Sequence, residues 1–138
     1  MTRLLLTAAA LCAMAVLAPA DEKKPAPAVT DLANDKADKI GTEGGKPTRP
    51  KVITSEDELK TAIPDDDTHK RVAKLVDFKE QTLLVFAWQG SGGDKLDFVV
   101  LESFPEQIRF TVTPGKTFDL RQHVHLYAVR KNVKWSVK

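Results

Sequence analysis

Thr82-Leu83-Leu84-Val85-Phe86-Ala87-Trp88 is the stretch that decides the architecture. It is nearly continuous in apolar side chains, and successive side chains of a strand point to opposite faces. Both faces of this segment must therefore be covered, as they are in a central strand.

The residues that follow keep a period of two. Leu96, Phe98 and Val100 alternate with Asp97, Val99 and Leu101, and Ile108, Phe110 and Val112 alternate with Arg109, Thr111 and Thr113. The second set reads as a half-buried strand with one wet face. Pro114-Gly115 suits the central pair of a type II turn, Pro fixing the first residue and Gly accepting positive φ at the second. Val124, Leu126 and Ala128 then make an inward face, and Val133, Trp135 and Val137 a last strand.

Upstream the period changes. Val52-Ile53 suits a short first strand, and Ser55-Glu56-Asp57-Glu58 is a capping box that starts a helix. Leu59, Ala62 and Ile63 share one face of that helix and Pro64 stops it. Asp65 to Thr68 offers cap-competent residues for a second short helix running to about Lys74, with Val72 and Leu75 spaced by three. One or two short N-terminal helices packed on a mainly antiparallel sheet of about five strands is an α+β domain, placed at residues 51–138.

Residues 21–50 are rich in Lys, Asp, Ala, Gly and Pro, with Val29, Leu32 and Ile40 as the only large aliphatics. Such a composition buries too little apolar surface to offset ordering entropy, so the stretch reads as a flexible linker. Before it, Arg3, the apolar run Leu4 to Leu17 and Ala18-Pro19-Ala20 ahead of Asp21 have the form of a cleavable signal peptide over residues 1–20. The run is shorter than the roughly 18 or more apolar residues a membrane span needs. The expectation is a secreted or periplasmic protein of a bacterium, with no membrane span after cleavage. Cleavage also removes Cys12, the one cysteine of the chain, so disulfide and thiol chemistry are excluded from the mature protein. Without Arg3, 20 basic residues face 19 acidic ones, a balance that makes no case for nucleic acid as a partner.

Three features bear on function. Gly90-Ser91-Gly92-Gly93-Asp94 is a candidate binding loop, since glycines let amides turn toward an anion. A phosphate cradle needs a helix opening behind it, whereas a strand pattern follows at Lys95-Leu96, so a hairpin connection closed by Asp94 is the plainer reading. Ser91 lacks the Gly-x-Ser-x-Gly context of a nucleophile elbow. His123 and His125 flank Val124 and project from one strand face, a workable separation for two ligands of a metal such as zinc. A third ligand would have to come from His69, Asp97, Glu102 or Asp119. Cupins use a similar His-x-His strand, but the glutamate that follows theirs is absent, Ala128 and Val129 standing there.

The apolar strand 82–88, then Gly90, Ser91-Gly92-Gly93 and later Thr113-Pro114, resembles the exported bacterial domain family named for the protease-complex subunit PrcB. That family has Thr-Gly-Gly and an aromatic where this chain has Ser91, Gly92, Gly93 and Asp94. The resemblance spans residues 82–114 and implies an extracytoplasmic, non-catalytic domain linked with proteolytic assemblies. The leading expectation is thus an exported binding or accessory module for an extracytoplasmic protein or peptide. A metal-dependent enzyme built on His123 and His125, and a structural envelope protein, are the alternatives.

Overall fold

Gln81–Ser91, here β3, is an eleven-residue strand whose alternate side chains enter two different cores. The computed structural model that shows this describes residues 25–32 and 40–138; the expected signal peptide lies outside them. Leu83 and Val85 point to one side, where they meet Leu59 and Val72 from two helices and Ile63 and Val76 at those helices' C-terminal ends. Those helices are α1 (Glu56–Ala62) and α2 (Asp66–Leu75). Leu84, Phe86 and Trp88 point to the other side, against Leu96, Ile108 and Phe110 of a second sheet and Val133 just ahead of its last strand. The double covering expected of this segment is therefore met by three layers: helices, a sheet containing β3, and a second sheet.

The first sheet has the order β1-β6-β3-β2, with β1 at Val29–Asp31, β2 at Lys51–Ile53 and β6 at Leu120–Arg130. β3 and β6 pair antiparallel over their full length, from Gln81 opposite Arg130 to Ser91 opposite Leu120. The second sheet has the order β4-β5-β7, with β4 at Lys95–Leu101, β5 at Gln107–Thr113 and β7 at Lys134–Val137. β4 pairs antiparallel with β5, and β7 runs parallel to β5. The fold is α+β as expected, but the seven strands among the described residues lie in two sheets rather than about five in one. The reason is the connection after β3, which carries the chain across to the second sheet instead of folding it back beside β3.

Aromatic side chains bind the two sheets. Phe86 lies 5.0 Å from Phe110, and Tyr127 lies 5.1 Å from Phe110 and 5.5 Å from Phe98, ring centre to ring centre. Such tilted and edge-on pairs add about 0.5–1.5 kcal/mol each to the burial of their area.

The helix starts follow the sequence. Ser55 caps α1 by accepting the Glu58 amide at 3.2 Å, while the Glu58 carboxylate reaches Thr54, accepting its amide at 2.7 Å and its hydroxyl at 2.9 Å. Asp65 caps α2, accepting the Thr68 amide and hydroxyl.

Two expectations are corrected. Part of the stretch read as a flexible linker is in the fold: β1 pairs with β6, Leu32 and Ile40 are buried, and the Leu32 amide donates to the Leu126 carbonyl at 2.9 Å. Arg130 fastens the same segment by donating to the Ala26 carbonyl at 3.1 Å while pairing with Glu106. Backbone pairing on an existing strand edge thus offsets the ordering entropy that composition alone left uncovered. Pro114-Gly115, in turn, is no type II turn, because Gly115 lacks the positive φ that turn demands; among the described residues Gly44 alone has it. Residues 114–117 run on as irregular chain instead. No helix among the described residues is long and apolar enough to cross a membrane.

Candidate functional site

The glycine-containing loop and the 114–119 segment fasten to each other at the end of the β3-β6 ladder. Asp94 closes the turn, its amide donating to the Ser91 carbonyl at 2.9 Å. Its carboxylate accepts the Trp88 indole N–H at 3.0 Å and the Gly115 amide at 2.7 Å. Those two donors, the Gly115 amide foremost, hold the Asp94 carboxyl below the ordinary aspartate range.

Ser91 and Thr117 form the middle of the clasp, with their hydroxyl oxygens 2.7 Å apart. The Ser91 hydroxyl oxygen accepts the Thr117 amide at 3.1 Å and the Gly93 amide at 3.3 Å. Asp119 is held below the ordinary aspartate range by a hydrogen bond from the Thr117 side chain and then by Arg121, whose Nε lies 2.6 Å from its carboxylate. The Gly92 amide donates to the Asp119 carbonyl at 3.1 Å. Close approach explains the glycines: a Cβ at Gly115 would overlap the Gly93 carbonyl carbon and the Ser91 hydroxyl, and one at Gly92 the Asp119 carboxylate.

This arrangement argues against an anion cradle. The Gly92, Gly93 and Gly115 amides are all spent on the chain's own oxygens, and two carboxylates stand beside them. Ser91 is no nucleophile either, since its oxygen accepts two amides and the nearest imidazole contact, His123 Nε2 at 2.8 Å, is to its carbonyl oxygen. The candidate loop 90–94 is therefore a brace, and what it braces is the segment carrying Phe118 and Leu120. Phe118 is fully exposed and Leu120, two residues on, is 74% exposed.

His123 and His125 do share one face, as the strand period requires, but they stack on Trp88 with ring centres 4.8 and 5.4 Å away. Because a carbonyl only accepts, His123 carries its proton on Nε2 and spends that atom on Ser91. Burial, and then the neighbouring His123, hold His125 below the ordinary histidine pKa and so in its neutral form. Burial also pushes the Tyr127 hydroxyl up to about 12, with Asp31 and Asp97 adding to it. Among the described residues no group of three or more His, Asp or Glu side chains converges on one point. His69 sits on α2, Asp97 on β4, Glu102 beyond the end of β4, and Asp119 in the clasp with Arg121. None of them joins the histidine pair to make a metal group.

Sequence reasoning missed Phe118 and Leu120. The available signal was a lone phenylalanine between Thr117 and Asp119 in a segment of loop-forming residues, outside every period-two pattern.

Comparison with protein-family models, with curated proteins and with solved structures gave no match.

Proposed function

We propose that this chain is an exported, non-catalytic binding module that engages an extracytoplasmic protein or peptide through the end formed by residues 90–94 and 114–121. The observation that carries the reading is the exposure of Phe118 and Leu120 on a segment hydrogen-bonded to the 91–94 loop. A loop held by hydrogen bonds from the Gly92 and Gly93 amides, by the Ser91 hydroxyl and by the Asp94 carboxylate, which accepts the Gly115 amide, displays a fully exposed aromatic ring, which the fold itself does not use. Large apolar anchors fixed before binding avoid the ordering cost that weakens flexible ones, and a few such residues dominate most interfaces. Export rests on the residue 1–20 pattern, and the resemblance of residues 82–114 to the PrcB domain directs the search for a partner to extracytoplasmic protease assemblies.

The test is affinity capture from the exported fraction of the host cell, with the mature protein compared to a Phe118→Ser/Leu120→Ser double variant of matched circular dichroism. A captured protein whose yield falls at least about tenfold with the variant supports the reading, as expected for two anchor side chains. Equal capture by both proteins overturns it. Bulky substitutions at Gly92 are a poorer test, because they break the brace itself.

A further inference from the structure

A second surface lies at the β2 edge of the first sheet. β2 is the terminal strand of the order β1-β6-β3-β2, so one of its backbone edges has no strand beside it among the described residues. Next to that edge a groove of about 390 Å³ is lined by Lys51, Val52, Ile53, Asp57, Glu58 and Thr61, that is, by β2 and the side of α1. An open strand edge flanked by a helix groove supplies the two things strand addition uses: backbone groups for affinity and a recess for alternate side chains.

The chemistry of the two sides differs. Val52 is paired with Leu84, on the side of the second sheet, and remains 44% exposed. Lys51 and Ile53 are paired with Val85 and Leu83, on the helix side. A strand laid along β2 would therefore set one series of side chains beside Val52 and the alternate series against α1. On the α1 side Glu58 is committed to Thr54, whereas the exposed Asp57 carboxylate has no hydrogen-bond or ion-pair partner among the described residues. Among the described lining residues Lys51 is the one cation against Asp57 and Glu58, so the groove is net acidic.

We infer that the β2 edge and the α1 groove accept an extended segment of a partner protein that alternates apolar side chains, set beside Val52, with basic ones, set against Asp57. This site is separate from the Phe118 and Leu120 end, and its failure leaves that reading intact.

The probe is a short capped peptide alternating Val and Lys, titrated into the isotopically labelled mature protein. It should move the amide resonances of residues 51–53 and 57–61 and slow hydrogen exchange along β2. A Val/Glu peptide should bind roughly two- to fivefold more weakly, the range of one exposed ion pair. N-methylation of alternate amides should abolish binding in one of its two phases, since only one phase faces β2. Asp57→Lys should invert the preference toward the Val/Glu peptide. The inference is overturned if the resonances of residues 51–61 stay still, if neither methylated phase matters, or if the shifts centre on residues 114–121 instead.

Discussion

Asp94 links the second sheet, the buried indole of Trp88 and the loop that presents Phe118, through one carboxylate. Trp88 is 1% exposed, so removing its acceptor leaves a buried donor unmet, a loss of about 1–3 kcal/mol. Asp94→Ala should lower unfolding stability by that amount in a denaturant titration, and Asp94→Asn by less, since one amide oxygen still accepts. A Gly115→Ala substitution belongs to the same scale. Its Cβ would strike the Gly93 backbone, so a loss of roughly 1–3 kcal/mol is expected from overpacking. Gly41→Ala, with nothing within 4 Å of the added carbon, serves as the neutral control in the same melts. The turn-closing role of Asp94 was legible from its place after Gly92-Gly93. The Gly115 contact was not, because a Pro-Gly pair looks the same whether it turns locally or packs against a distant loop.

β3 and β6 carry most of what was legible at the scale of the element. The unbroken apolar run of residues 82–88 predicted a strand covered on both faces, and the period of two put His123 and His125 on one face. Local caps fixed α1 and α2. β1 escaped because three residues, one of them Asp31, hold too little apolar pattern, and its pairing depends on an edge of β6 more than ninety residues away. The burial of His125 gives this ladder a pH dependence. The folded state holds His125 neutral, below its ordinary value of 6.5, so the unfolded chain binds its proton first as the solution is acidified. Stability should be full above 6.5 and fall as pH drops from there toward the depressed folded value. Asp94, Asp119 and Glu58 act in a lower window: their stabilisation holds above the ordinary carboxylate range and is lost only as pH falls through their lowered values. Urea titrations at successive pH values should show two steps, and His125→Phe should remove the upper one. An unchanged upper step in that variant would show that His125 is not its source.

Across the whole molecule, three layers leave a short list of surfaces that the fold does not consume. The double covering of β3 accounts for the buried set, and the two-sheet crossover accounts for the brace at residues 90–94. Phe104 and Phe118 are both fully exposed, yet they sit at opposite ends of the β4-β5 pair: Phe118 follows a segment fastened to the 91–94 loop, whereas the Phe104 loop is held by the Ser103 hydroxyl on the Pro105 carbonyl and by Arg130 on Glu106. That contrast supplies an internal control for the central claim. A photo-crosslinking phenylalanine analogue placed at position 118, and separately at position 104, should be exposed to light in the living host and its adducts resolved by mass. The account predicts a discrete protein adduct from position 118, lost when Leu120→Ser is added, and none shared with position 104. The same adducts from both positions, or none from position 118, would contradict it.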